Sequence, residues 1–126
     1  MKQFFAELFI WWHKETLGMR VWTALRGVYV GTDELGNRYY KHKRNDRRWV
    51  LYNGYAEASA IAPGWHGWMQ HTVDTPPSAE DYKPRDWQRP HQPNLTGTAL
   101  AYRPPGSIAG KARPAAAPDY QAWKPE

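Results

Sequence analysis

The sequence predicts an α+β fold: an N-terminal amphipathic helix, a small three-stranded antiparallel sheet, a short helix and a long extended Pro-rich C-terminal strap. Three observations carry this expectation. Large apolar residues recur at helical spacing near the start, at Phe4, Phe5, Leu8, Trp11 and Trp12. Three short β-rich segments follow, separated by turns rich in glycine and asparagine. Every proline except Pro63 lies beyond residue 75, and from residue 72 onward the large aliphatics are limited to Val73, Leu95, Leu100 and Ile108. A segment of that composition does not build its own core.

Taken in order, residues 3–17 read as the helix. Glu7 and Lys14 fall opposite the aromatic stripe, and Gly18 serves as the stop. Val28-Tyr-Val30 is the first strand, and Gly31 to Asn37 is a turn whose glycines and asparagine tolerate positive φ. Arg38 to His42 is the second strand, Asn45-Asp46 a turn, and Arg48 to Tyr52 the third strand, closed by Asn53-Gly54. A three-stranded meander needs a covering layer, and the N-terminal helix is the expected cover. Pro63 opens a short helix running to about His71. Its Trp65 and Trp68 are three apart and share a face, which seats the helix on the sheet. Asp74 to Pro77 is expected to end ordered packing. The chain thus divides into a helix-plus-sheet module, 1–75, and a partner-wrapping strap, 76–126.

The bulk numbers narrow the function. The 126 residues suffice for one small domain. Aromatics reach 15%, mostly Trp and Tyr, whose apolar bodies and polar tips suit interfaces. The formal charge of +5 favours an acidic partner. Cysteine is absent, which excludes disulfides, zinc–thiolate sites and thiol catalysis. Glu7 interrupts the run Phe4 to Trp12, no cleavage site follows it, and no run is long enough to span a bilayer. The expected location is the cytoplasmic or matrix side of any membrane the chain meets.

Catalytic constellations are weak. His13, His42, His66, His71 and His91 include no pair with zinc spacing. Ser59, His66 and Asp74 make a triad on paper, but no nucleophile-elbow pattern frames the serine, and no glycine-rich phosphate loop occurs. His66 reads as a structural histidine bonded to a backbone carbonyl. The basic run Arg38, Lys41, Lys43, Arg44, Arg47 and Arg48, interleaved with Tyr39, Tyr40 and Trp49, suits single-stranded nucleic acid by stacking and phosphate contact. Its plainer reading is a solvated sheet surface, and no nucleic-acid-binding signature accompanies it.

An ordered set of short motifs adds a more specific reading. Trp11-Trp12, Thr16-Leu-Gly18, Gly27-Val-Tyr-Val-Gly31, Asp33-Glu-Leu-Gly-Asn-Arg-Tyr-Tyr40, Arg48-Trp-Val-Leu-Tyr52, Pro63-Gly-Trp-His-Gly-Trp68 and Asp74-Thr-Pro-Pro77 come first. Pro93-Asn-Leu-Thr-Gly-Thr98, Ala101-Tyr-Arg-Pro-Pro-Gly-Ser107 and Asp119-Tyr-Gln-Ala-Trp-Lys-Pro125 follow. From about residue 10 to 125 the chain resembles the complex I accessory subunits of the NADH dehydrogenase 1 alpha subcomplex subunit 12 type, a family that includes the assembly-factor paralogue mimitin. Ala62-Pro63-Gly64 stands where the family often has Pro-Pro-Glu, and Pro118-Asp119-Tyr120 where it often has Gly-Asp-Tyr. The short, alanine-containing tail resembles an alphaproteobacterial member. Asn94-Leu-Thr-Gly97 and Tyr102-Arg-Pro104 resemble the subunit branch rather than the assembly factor.

The resemblance implies a non-catalytic accessory subunit of NADH:ubiquinone oxidoreductase that stabilises the peripheral arm near its junction with the membrane arm. It implies no cofactor bound by this chain, although the complex carries FMN and iron–sulfur clusters. It implies heteromeric partners, notably the peripheral-arm subunit with two tetranuclear iron–sulfur clusters, contact with membrane headgroups, and no nucleic acid. The implied location is peripheral, on the cytoplasmic face of a bacterial inner membrane or the matrix face of the mitochondrial one. On this reading Trp11, Trp12, Trp87, Tyr102, Arg103, Tyr120 and Trp123 are the expected partner-interface residues. Trp49, Trp65, His66 and Trp68 are the expected structural ones. The alternatives are an assembly chaperone and a basic module for single-stranded nucleic acid.

Overall fold

The computed structural model describes residues 14–104, 107–108 and 123–125. The chain divides into two units, residues 1–94 and 95–126. In the first, helix α1 (Leu17–Arg26) leads into strands β1 (Gly27–Thr32), β2 (Arg38–His42) and β3 (Arg48–Leu51); a 3₁₀ turn at Ala58–Ala60, helix α2 (Pro63–Met69) and a second 3₁₀ turn at Pro77–Ala79 follow. The α+β class and the meander hold: the sheet order is β1-β2-β3, both pairs antiparallel.

Most of the expected 3–17 helix lies outside the described residues, but its predicted end is corrected. Lys14 takes a positive φ of 61° and Thr16 is extended. The Thr16 hydroxyl accepts the Met19 amide at 3.3 Å, so Thr16 is an N-cap that starts a helix. Gly18 therefore sits in the first turn of α1 rather than stopping an earlier helix.

Strand alternation gives the sheet two covered faces. On one face Trp49 donates its indole N–H to the Thr23 hydroxyl of α1 at 3.0 Å, and buried Leu51 lies on the same side. On the other face Tyr39, fully buried, stacks on Trp65 of α2 with ring centroids 4.0 Å apart and planes within 5°. Trp65 meets Trp68 edge to face at 5.7 Å. These three rings and Ile61 form the core, with Val30, Val50, Tyr52, Ala62 and Met69 packed around them. The described cover on the Trp49 face is thus α1, and the second layer is α2.

The β1–β2 turn is tied to this core. The Asp33 carboxylate accepts the Leu35 and Asn37 amides at 3.0 and 2.9 Å, the Asn37 side-chain amide at 2.9 Å and the Tyr39 hydroxyl at 2.8 Å. Asn37, 2% exposed, also donates to the Ala60 carbonyl and accepts the Asn53 amide. Burial first, and then the bond to Asp33, push the Tyr39 pKa well up, so its hydroxyl stays a donor.

Candidate docking surface

The first unit continues past Asp74–Pro77, where the sequence suggested that ordered packing ends. A β-bulge at Val30 interrupts the β1 ladder, and the Ser78 hydroxyl donates to the Val30 carbonyl at 3.0 Å. The backbone there is crowded: a Cβ on Gly31 would come within 2.7 Å of the Trp65 ring and 3.0 Å of Ser78. Further on, His91 Nε2 lies 2.7 Å from the Ser59 carbonyl, and the Asn94 amide donates to the Ser59 hydroxyl at 3.0 Å. The strap is thereby pinned at Ser78, His91 and Asn94. Between these pins and the β1–β2 turn runs a groove of about 790 Å³, whose walls include Trp65, Pro77, Tyr82, Arg89 and His91.

Between two of the pins the chain makes a closed turn. The Gln88 amide donates to the Arg85 carbonyl at 2.9 Å; the Gln88 side-chain oxygen accepts both the Arg85 amide, at 2.7 Å, and the Tyr82 hydroxyl, at 2.8 Å. This loop holds Trp87 at its tip, 75% exposed. A large aromatic on a hydrogen-bonded loop loses little conformational freedom when a partner covers it.

The second unit repeats the device on a smaller scale. The Thr98 amide and hydroxyl both donate to the Leu95 carbonyl, at 3.0 and 2.6 Å, around Gly97 at φ 82°. Tyr102 is 85% exposed and Trp123 81%, and Arg103 is exposed as well. Of the remaining expected interface residues, Trp11, Trp12 and Tyr120 lie outside the described residues.

The expected structural set is placed unevenly. Trp65 and Trp68 are buried, and Trp49 is half-buried with its N–H satisfied. His66 is a correction: its ring is exposed, and among the described residues it makes no side-chain hydrogen bond. On α2 it projects away from the face that Trp65 and Trp68 bury. The carbonyl-bonded histidine is His91, and the buried one is His42, whose Nδ1 accepts the Arg44 and Asn45 amides at 3.1 and 3.2 Å.

Arg48 is the residue that sequence reasoning most misjudged. The sequence groups it with a basic run whose plainer reading is a solvated sheet surface, yet its side chain is 5% exposed. Nη1 donates to the Trp68 carbonyl at 2.6 Å and the Val73 carbonyl at 3.1 Å, Nη2 reaches Asp46 and Asp74, and the guanidinium lies 4.9 Å over the Trp68 ring. It closes the C-terminal end of α2, where His71 turns the chain at φ 58°. Asp46 also pairs with His71 at 3.0 Å. Partial desolvation works against it, but the Arg48 guanidinium holds the Asp46 carboxyl below the usual aspartate range. The signal available in the sequence was position: Arg48 alternates with Trp49 and so faces the same side as Val50.

Chemically, the surface is suited to being covered. Among the described residues no group of three His, Cys, Asp or Glu is arranged to hold a metal. The paper triad dissolves, because the Ser59 hydroxyl donates to Glu57 at 2.6 Å, Asp74 pairs with Arg48, and His66 faces solvent. The basic run is partly occupied too: Arg38 pairs with Glu15 at 2.8 Å, and Lys43 Nζ donates to the Leu25 carbonyl at 3.0 Å. Among the described residues no helix is long and apolar enough to cross a membrane.

Comparison with known proteins agrees with the motifs. The NADH dehydrogenase [ubiquinone] 1 alpha subcomplex subunit 12 of Dictyostelium discoideum is 39% identical over 65% of this chain and 63% of its own length. The Bos taurus protein of the same name is 34% identical over 62% of this chain and 63% of its length. The subunit N7BM of Yarrowia lipolytica is 32% identical over 79% of this chain and 72% of its length. An uncharacterised protein of Rickettsia prowazekii is 35% identical over 48% of this chain. The chain spans less than two thirds of the length of the Dictyostelium and bovine relatives. The model of the NADH ubiquinone oxidoreductase subunit NDUFA12 family matches residues 27–125, and the chain belongs to that family.

Proposed function

We propose that this chain is a non-catalytic accessory subunit of respiratory complex I, bracing the peripheral arm near its junction with the membrane arm. Family membership supports the assignment to the complex. The observation that carries the bracing role is Trp87, exposed at the tip of a loop closed by Gln88 and anchored to the folded unit on both sides. Such a ring gains its burial only from a second protein. Tyr102, Arg103 and Trp123 act as further anchors from the second unit, with Trp11, Trp12 and Tyr120 completing the interface. The neighbours on this reading are other complex I subunits, including the peripheral-arm subunit with two tetranuclear iron–sulfur clusters. The chain itself binds no flavin, cluster or quinone and stays peripheral to the membrane, on the cytoplasmic or matrix side, in contact with headgroups.

The test is native-gel separation of solubilised membranes followed by mass spectrometry, comparing the full chain with one lacking residues 95–126. The full chain is expected in the mature NADH-oxidising complex, and the shortened chain is expected to fall away from it. Full occupancy by the shortened chain removes residues 95–126 from the interface and leaves Trp87 as its anchor. Presence on assembly intermediates alone makes the protein a chaperone instead.

A further inference from the structure

The C-terminal end of α1 and the end of β2 enclose a second cleft, of about 240 Å³, lined by Leu25, Arg26, His42, Lys43 and Arg44. That is several times the roughly 30 Å³ a water occupies in the liquid. Three of the five lining residues are cationic. Among the described residues no acidic side chain lines the cleft, and residues 17–32 and 38–45 contain neither Asp nor Glu. The nearest acid in sequence, Asp46, is paired with Arg48 and His71.

His42 supplies a further donor. Its Nδ1 accepts two backbone amides, so the ring proton sits on Nε2. The residue is 8% exposed; no buried side-chain N or O of the described residues lacks a partner, so the Nε2–H, which has no protein acceptor among them, opens to solvent. A solvent-accessible donor without a protein partner among the described residues, beside three cations, matches an oxyanion. The negative end of the α1 dipole does not cancel the match: Lys43 Nζ takes the Leu25 carbonyl, the Lys43 amide takes the Arg26 carbonyl, and the Gly27 amide takes that of Thr23.

The surface next to the cleft is apolar. Val21, Trp22 and Leu25, at helical spacing on α1, are all exposed, and Trp22 lies under the Arg26 guanidinium at 5.4 Å. An apolar helix face rimmed by cations fits the interface of an anionic membrane. We propose that the cleft binds the phosphate group of an anionic phospholipid, with Val21, Trp22 and Leu25 lying in the acyl boundary beside it. Arg26, Lys43, Arg44 and the His42 Nε2–H bind the phosphate oxygens. The proposal rests on the peripheral-membrane reading above and gives it a specific site.

The full chain, and its variants Arg44→Gln, Arg26→Gln and Leu25→Ser, are tested for co-sedimentation with phosphatidylcholine vesicles, with and without phosphatidylglycerol. A parallel titration with inorganic phosphate follows the amide chemical shifts of His42 to Arg44. Retention is expected only on the phosphatidylglycerol vesicles, falling about fivefold for each lost cation and also for Leu25→Ser. Phosphate is expected to shift the three amides at millimolar concentration. Phosphate binding without vesicle retention assigns the cleft to a free anion and overturns the lipid. Vesicle retention unchanged by both arginine variants overturns the site. All three variants are expected to stay in the detergent-solubilised complex, which separates this proposal from the docking role. Loss of Arg44→Gln from that complex assigns the cleft to an acidic protein group and likewise overturns the lipid.

Discussion

Trp65 and Trp87 are the same side chain in opposite surroundings. Trp65 stacks on Tyr39, meets Trp68 edge-on and is 5% exposed; Trp87 stands 75% exposed on a turn whose hydrogen bonds are all local. Around Trp65 the chain brings a sheet, a bulge and a buried arginine to one place. Around Trp87, among the described residues, it brings the Tyr82–Gln88 loop. Aromatic content alone therefore does not separate core from interface here. What separates them is whether strand alternation or helical spacing gathers apolar neighbours onto the same face.

The largest effect expected from this contrast is on folding stability. Trp65→Ala removes a ring packed on two others and is expected to cost about 4 kcal/mol. Trp87→Ala is expected to change stability by no more than about 0.5 kcal/mol, as for an exposed site. Chemical denaturation of the two variants checks this, and equal losses would erase the distinction between the regions.

Next comes Arg48. Truncation to alanine leaves the Trp68 and Val73 carbonyls without their donor and uncovers the Trp68 ring, an expected loss of about 3 kcal/mol. Arg48→Lys is expected to recover only a minor share, because an ammonium does not reproduce the flat fork that bonds two carbonyls while covering a ring. Full rescue by lysine in a thermal melt would reduce the role to charge alone.

Trp87 reverses the comparison when the readout is binding. Its truncation is expected to weaken docking to the complex by about 2 kcal/mol, the scale of an interface anchor, while leaving the isolated chain's melt unchanged. Occupancy in purified complex, measured against a wild-type copy in competition, reads the difference directly. Unchanged occupancy would make Trp87 a bystander.

Much of the fold was legible because its signals are local. The strand at Arg38–His42 was read to the residue, and Pro63 marked the start of α2. Gly18 hides helix α1 in the sequence, because a glycine after an aromatic stripe reads as a stop. The countersignals were Thr16 as an N-cap and the spacing of Val21, Trp22 and Leu25, and Thr16 is what the structure uses. The packing of residues 77–94 is hidden for a different reason: Ser78, His91 and Asn94 are held by hydrogen bonds to carbonyls and a hydroxyl, which leave no periodic trace in a sequence. His66 drew attention through its neighbours Trp65 and Trp68, yet their shared face is what turns it outward. The exposed aromatics of the strap are legible from composition, since few aliphatic partners accompany them.

The smallest expected effect lies at the seam where Asp46 meets Arg48 and His71. The folded-state pKa of Asp46 is depressed, so its ionised form is favoured by folding. Its stabilising contribution is then complete above the ordinary aspartate value of about 3.9 and disappears as pH falls through the lower folded value. Asp46→Asn removes that dependence. Its melting temperature is expected to lie below the wild type's at neutral pH and to converge with it as pH falls through the depressed folded value. Because Asp46 is exposed, solvent screens the pair, so the gap at neutral pH is expected to narrow in high salt. Parallel melting curves across the acid range would show that Arg48 holds the end of α2 through the Trp68 and Val73 carbonyls and Asp74, without help from Asp46.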